Sequence, residues 1–301
     1  MAYSAKVILK TKPKQSNTVV TTLEVTLPRI VLAEFNTHRT FSRNSASSRA
    51  IPVEKQIAKV LEDPFIPEYW GKNQKGMQAE FEIDTNDQEK AKALWLNARD
   101  NAVKQAEALL KVGIHKQITN RLLEPFMWQT IIVTATDWDN FYALRRSKDA
   151  QPEIKKAADM MFDVDQNTKP DDNRIYHTPL VTGYDENEIA EAIASNKLSI
   201  SSYSQSELMT QMMISSGRCA RVSYLTHDGK RSPQADIDLA EKLLSAGHMS
   251  PFEHAAFWSA NPEFAIRELN PNATVTSNFS GGWIQFRKLL VNEHNYSLRN
   301  I

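Results

Sequence analysis

Thr37-His38-Arg39-Thr40-Phe41-Ser42-Arg43-Asn44-Ser45-Ala46-Ser47-Ser48-Arg49 gathers one histidine, three arginines, one amide and four serines into thirteen residues. Such a composition suits neither a core strand nor a bland linker. Guanidinium forks and hydroxyls are the groups that phosphates and pyrimidine carbonyls require, and arginine can bind phosphate bidentately. A basic loop taken alone is ordinarily a solvated surface. The remainder of the chain decides how this one is read.

Upstream, Ala5-Lys6-Val7-Ile8-Leu9-Lys10 and residues 18–33 read as strands. In the second, Leu23, Val25 and Leu27 alternate with Glu24 and Thr26, the period of a half-buried strand, and Pro28 marks a bend or edge. Downstream, residues 52–62 form a short predicted helix with Ile57, Val60 and Leu61 on one face. A long helix spans about Asn86 to Val112, capped by Asn86 with Glu89 and ended by Gly113. Its expected apolar stripe is Leu94, Ala98, Ala102, Ala106, Leu109 and Leu110. Further helices are predicted at 114–123, 137–146, 151–163 (Pro152 in the first turn), 185–196 and 233–246, with a strand at 126–135. Residues 164–184 read as a polar loop and 260–300 as irregular. Strands first and helices after predict an α+β fold, an antiparallel sheet packed with helices.

The 301 residues carry 36 Lys+Arg and 36 Asp+Glu, so the formal net charge is zero. Proteins that neutralise nucleic-acid phosphates usually show a basic excess, so nucleic acid is not the expected partner. No signal-peptide pattern or membrane-length apolar run appears, and one cysteine, Cys219, leaves no internal disulfide; a cytoplasmic location without membrane contact is expected. There is no Gly-x-Gly-x-x-Gly or phosphate-loop pattern, so a bound dinucleotide would have to be held by side chains and helix ends. His248 and His254 stand six apart across Pro251, a poor spacing for metal, and no metal site is expected.

Two later regions bear on the opening loop. Arg121-Leu122-Leu123-Glu124-Pro125 precedes Asn140-Phe141-Tyr142-Ala143-Leu144-Arg145 and Ala150-Gln151-Pro152-Glu153-Ile154. Then Arg218-Cys219-Ala220-Arg221-Val222-Ser223-Tyr224 is followed by a helix and Gly247-His248-Met249-Ser250-Pro251-Phe252-Glu253-His254. Together these blocks resemble the flavin-dependent thymidylate synthases, the ThyX family. That family's signature Arg-His-Arg-x-x-Ser-x-Asn-x-x-Ser-x-Arg is matched at His38, Arg39, Ser42, Asn44, Ser47 and Arg49, with Thr37 replacing the first arginine. The Gly-His-x-Ser-Pro-Phe-Glu-His block precedes the His-Arg block in the family and follows it here, so the resemblance is to a permuted relative. Termini that lie close together would make such a rearrangement tolerable.

The resemblance implies one ThyX-like catalytic domain over residues 1–301. Its nucleotide and flavin half is 1–163, a loop or insertion occupies 164–210, and a flavin-binding half fills 211–301. It implies a flavoprotein that reductively methylates dUMP to dTMP, with FAD bound and NADPH and methylenetetrahydrofolate as co-substrates. The same resemblance implies a homotetramer with sites between subunits. Catalysis falls to Arg145, Ser47 and Arg49, with Arg145 polarising the pyrimidine. Substrate binding falls to Glu34, Ser47, Ser48, Arg49, Arg121 and Arg145. The element Gly281-Gly282-Trp283-Ile284-Gln285-Phe286-Arg287-Lys288 adds Gln285 and Arg287, the latter a candidate to replace the arginine lost at Thr37. Flavin binding falls to His38, Arg39, Thr40, Asn44, Asn140, Ser223, His248, Ser250 and Glu253.

Ser45 stands where the family carries glutamate, and Glu34 where glutamine is common; the latter exchanges an amide donor for an acceptor. Two alternatives follow. One is a C5 methylase or hydroxymethylase of another pyrimidine deoxynucleotide such as dCMP, of the sort a virus with modified DNA would need. The other is a relative that binds nucleotide without catalysis. Cys219 lacks the setting of a pyrimidine-attacking thiolate, and flavin chemistry would not need one.

Overall fold

The computed structural model describes residues 2–76, 78–195, 198, 206–224, 232–271, 273, 278–290 and 293, and only the backbone of residues 184, 223 and 224. The chain opens with β1 (Ser4–Thr11) and β2 (Val20–Pro28). Pro28 ends the strand instead of bending it within a longer one, and a 3-10 turn at Arg29–Val31 leads into α1 (Leu32–Phe35). The opening motif then supplies β3 (Ser42–Ser45).

Next come α2 (Val53–Glu62), α3 (Thr85–Lys111) and α4 (Lys116–Thr119), the last running into a 3-10 segment at Asn120–Phe126. The long helix is capped by Asp84, which accepts from the Asp87 N–H, and not by Asn86. Its buried stripe is also rotated from the expected one. Leu94 is 72% exposed, whereas Trp95, Ala102, Val103 and Ala106 pack on Phe126 and α2. The indole of Trp95 donates to the Phe65 carbonyl at 2.8 Å, which fixes the large ring inward and turns Leu94 out. Gly113 closes the helix at φ +86°.

β4 (Trp128–Ala135), α5 (Asp139–Arg145) and α6 (Pro152–Asn167) follow. The first sheet has the order β1-β2-β4-β3, all antiparallel. Strand alternation gives it two different faces. Leu23, Val25 and Leu27 of β2 and Ile131, Val133 and Ala135 of β4 meet Ile154, Ala158 and Met161 of α6 in one apolar cluster. The opposite face carries Thr22, Thr26, Thr130, Ile132 and Thr134.

That opposite face is covered by the rest of the chain: β5 (Tyr176–His177), α7 (Gly183–Ala194), α8 (Glu207–Ala220), α9 (Pro233–Ser245), β6 (Ala256–Trp258), α10 (Pro262–Leu269) and β7 (Trp283–Gln285). β5, β6 and β7 form a second antiparallel sheet. Residues 164–184 are thus partly ordered into α6 and β5, and 260–300 contains α10 and β7, so neither stretch is only loop. The helix α8 was not expected from sequence at all. It is buried along nearly its whole length, with Met212, Met213 and Ile214 facing α9 and Phe252, and Cys219 against Ile132. Gly217 lets α8 and α9 touch, since a Cβ there would lie 2.2 Å from the Asp236 carbonyl. Among the described residues no helix is long and apolar enough to cross a membrane.

Candidate functional site

Arg145 ends α5 and sends its guanidinium back to the residues before β3. Its Nε donates to His38 Nε2 at 3.0 Å, its Nη1 to Glu34 Oε2 at 3.3 Å and its Nη2 to Thr37 Oγ1 at 3.1 Å. His38 is 7% exposed and packs edge-on against Phe141, with centroids 4.9 Å apart. Burial, then Arg145 and Arg43, lowers the pKa of His38. The neutral ring carries its proton on Nδ1 and accepts from Arg145 at Nε2. A cleft of about 220 Å³ opens here, bordered by Arg39, Thr40, Asp137, Asn140 and Arg145.

The motif's next residues run along β3, whose partner is β4. Arg43 donates to the His38 carbonyl at 3.1 Å, and Glu253 is the acid that opposes the burial effect on its guanidinium. Asn44 and Ser42 point the other way, into the late segment. With its NH2 turned toward the Arg43 carbonyl (2.9 Å) and Ser250 Oγ (3.1 Å), the Asn44 amide is satisfied. His254 Nε2 lies 3.4 Å from the same amide. Gln285 Nε2 donates to Ser42 Oγ (2.8 Å) and to the Glu253 carbonyl (2.9 Å). The early Arg-Ser stretch and the late His-Glu stretch therefore touch within one chain.

The late segment owes its position to the end of α9. Ser232 caps that helix with Pro233 in its first turn, and Gly247 at φ +75° reverses the chain. The Gly247 and His248 N–H groups return to the Leu244 and Leu243 carbonyls (3.0 and 2.8 Å), which delivers Ser250–Glu253 as a single 3-10 turn. His248 and Ser250 are exposed. Glu253 is ion-paired with Arg287.

Behind this contact lies a polar chain that sequence reading missed. Thr11 Oγ1 meets His177 Nδ1 (2.9 Å), and His177 Nε2 meets Thr22 Oγ1 (2.8 Å). Thr22 meets Thr134 (2.7 Å), and Thr134 meets His254 Nδ1 (2.8 Å). All five residues are fully buried. Burial pushes both His177 and His254 down to about 3. Each neutral ring bridges a residue of the first sheet to the second half of the chain. The regular threonines of β2 and β4 were the one available signal for a polar sheet face.

The other expected residues are placed as follows. Ser47 is half-buried and Arg49 exposed, just past β3. Ser48 Oγ donates to Glu124 Oε1 (3.2 Å), and Arg121 Nη1 reaches the same oxygen at 2.7 Å, so Glu124 joins the two. Asn120 adds bonds to the Ser48 and Ile51 carbonyls. Gln285 is 2% exposed and is a strut between segments, outside the His38–Arg145 cleft. Arg287 is held by Glu253 and Glu293, and Thr37 accepts instead from Arg145. The side chain of Ser223 lies outside the described residues.

The family model described as thymidylate synthase complementing protein, Thy1, matches residues 10–171, more than half of the chain. The chain belongs to the Thy1 family. That match runs from the end of β1 through α6, including the His38 cleft, and stops short of the segment 247–254. No curated sequence matches the chain. Among solved structures, a UMP/dUMP methylase PolB from Streptomyces cacaoi, bound with 5-Br UMP, is 15% identical over 55% of this chain and 89% of its own, with TM-score 0.46. Thymidylate Synthase X (ThyX) from Helicobacter pylori, with FAD and dUMP, is 17% identical over 48% of this chain and 67% of its own, with TM-score 0.36. Thy1 membership makes nucleotide methylation the class of chemistry to weigh for the cleft.

Proposed function

We propose that this Thy1 protein methylates C5 of a pyrimidine deoxynucleotide, with dUMP the substrate and dTMP the product. The balanced reaction is dUMP plus methylenetetrahydrofolate plus NADPH plus a proton giving dTMP, tetrahydrofolate and NADP+. The observation that carries the reading is Arg145, a cation fixed by His38, Glu34 and Thr37 at a cleft built from the family motif.

The donors around that cleft suit FAD. Arg39, Thr40 and Asn140 are exposed there, offering guanidinium, hydroxyl and amide groups to a phosphate or a ring edge, and His248 and Ser250 are the corresponding exposed groups on the late turn. Bound flavin would supply the hydride transfer that no side chain of the protein can perform. Arg145 then stabilises negative charge developing on the pyrimidine carbonyl, an electrostatic role that a preorganised fork performs without rearrangement. His38, neutral, keeps the guanidinium plane in place without adding a second charge. Ser47 and Arg49 hold the nucleotide phosphate, joined by Arg121, which extends from a surface bearing exposed Ile118 and Leu122. That apolar surface is consistent with self-association as a homotetramer. The late segment serves the flavin side as a permuted counterpart of the family's first block, in a single catalytic domain that works in the cytoplasm.

A second reading, dCMP as substrate, is favoured by Glu34. A carboxylate beside Arg145 accepts from an amino group where an amide would donate to a carbonyl. The absorption spectrum of the purified protein after incubation with FAD tests the main proposal first. Product mass with dUMP or dCMP, methylenetetrahydrofolate and NADPH then separates the two nucleotides. A protein that stays colourless with FAD refutes the flavin reading. Hydride transfer no faster than with free flavin points instead to binding without catalysis.

A further inference from the structure

Away from the cleft, a cavity of about 1010 Å³ lies between the start of α6 and an arm that precedes α3. It is at the upper end of the size of small-molecule sites. The arm is folded back on itself, with the Lys72 N–H bonded to the Phe81 carbonyl (2.7 Å) and the Ile83 N–H to the Trp70 carbonyl (3.0 Å). Gln78 Nε2 donates to the Asp149 carbonyl (3.4 Å), which ties the arm to the loop before α6. Two of the lining lysines are already engaged, Lys155 by Asp159 and Lys156 by Glu68. Lys148 is then left with four carboxylates, Glu80, Asp149, Glu153 and Asp163, none of them ion-paired to a described residue. Glu153 weighs most among these. It is only 7% exposed and no described residue bonds its carboxylate, yet neither oxygen is sealed in protein, so the group opens on the cavity. Its neighbour Tyr3 is a phenol whose pKa is raised by burial, then by Glu153 and Glu68, and brings no positive charge. A buried carboxylate is ordinarily paired or bound to a cation.

We propose that this cavity binds an aliphatic polyamine, one ammonium of which pairs with Glu153. The excess of carboxylate sets the sign of the ligand. The spread of the acids sets its shape: among the described residues no three His, Cys, Asp or Glu side chains converge as a metal site requires. A compact ion meets one such carboxylate, whereas ammonium groups separated by methylenes meet several. Tyr69, Ala79, Ala150, Pro152 and Met160 add apolar wall, along which the methylenes of a long cationic chain can lie. The site does not depend on the function proposed for the cleft.

The test is calorimetric titration of the full chain with spermidine, with Mg²⁺ and dilysine amide, a peptide of similar charge, as comparison titrants. Spermidine should bind saturably and more tightly than either. Glu153→Gln, which keeps the shape and removes the charge, should weaken it about tenfold or more, the loss of one charge-assisted bond. Glu263→Gln removes the same charge from the exposed surface of α10 and should leave the affinity unchanged. If Glu153→Gln does not fold, Asp163→Lys, at an exposed position on the same wall, takes its place and should weaken binding at least as much. No saturable binding of spermidine, or a loss in Glu263→Gln equal to that in Glu153→Gln or Asp163→Lys, overturns the proposal. Tighter binding of Mg²⁺ or of the peptide overturns it too, in favour of a metal site or a groove for a basic chain.

Discussion

Acid should weaken this protein through His177 and His254 well before its carboxylates are touched. Both rings are fully buried, His177 between two threonine hydroxyls and His254 between the Thr134 hydroxyl and the Asn44 amide, and held near pKa 3 by burial, against an unfolded value near 6.5. A base whose folded pKa is depressed binds fewer protons when native. Stability is therefore intact above about pH 7 and falls as pH drops below the unfolded value. Between pH 7 and pH 5 the unfolded chain gains most of a proton per ring while the folded one gains almost none. At about 1.4 kcal/mol per pKa unit, that is about 2 kcal/mol per histidine and about 4 for the two. His38, whose pKa is also lowered, adds in the same direction. The acids held below their ordinary range, Asp159, Asp185 and Glu293, lose their contribution only below about pH 4.5, so pH 5 leaves them out. With an unfolding entropy of roughly 2 cal/mol/K per residue over 301 residues, about 4 kcal/mol lowers Tm by about 6 °C. Thermal melts at pH 7 and pH 5 measure this. His177→Asn should melt lower at both pH values yet show only about half the pH-dependent drop. An equal Tm at the two pH values, or a drop undiminished in the variant, would refute the idea that these rings are buried and neutral.

Three further outcomes are expected. Arg145→Lys keeps the charge but not the planar fork that spans His38, Glu34 and Thr37, so kcat should fall about a hundredfold or more with far less change in nucleotide KM; turnover within about threefold of the parent would contradict the assigned role. Cys219 is fully buried and its thiol is pushed up to about 12, so the native protein should resist thiol reagents at neutral pH and Cys219→Ala should keep its activity. Gly217→Ala places a Cβ against the Asp236 backbone, which cannot swing aside as a side chain would, and should cost about 1–3 kcal/mol, read as a Tm lowered by a few degrees.

Much of the first sheet was legible because its strands obey a period of two. Leu23, Val25 and Leu27 all enter one core, as the alternation predicts. The long helix was legible in extent but not in facing, because one indole anchored by a hydrogen bond outweighs a stripe of leucine and alanine. Helix α8 was illegible for the opposite reason. Met212, Met213, Ser215, Ser216 and Gly217 are all buried, so small and polar residues share the interior with the methionines and no apolar run marks the helix. In the candidate site, residue types and spacing marked Arg145, His38 and Asn44; the threonines of β2 and β4 hinted at a polar sheet face, but nothing local tied Thr22 and Thr134 to His177. Their connection is set by strand register, Thr22 opposite Thr134, and by contacts up to 166 residues apart. Such pairings carry no signature at either end.

The proposed permutation raises the question of whether a segment supplied late in the chain can complete a site begun early. Asn44 and His254 are 210 residues apart, whereas adjoining blocks would leave a separation smaller by roughly twentyfold. Loop closure scales with the logarithm of length, so that change costs about 2.7 kcal/mol. Opposing it are the bonds from Gln285 to Ser42, from Asn44 to Ser250 and from His254 to Thr134, each contributing about 1 kcal/mol. Those contacts alone offset the longer loop, before any apolar burial between α8 and the sheet is counted. β3 takes its strand partner, β4, from the first half of the chain, which leaves the turn at Ser250–Glu253 free to reach it from any point in the sequence. The order of the blocks is thus a weak constraint on this site, and the fit of Ser42 and Asn44 to Gln285 and Ser250 is a strong one.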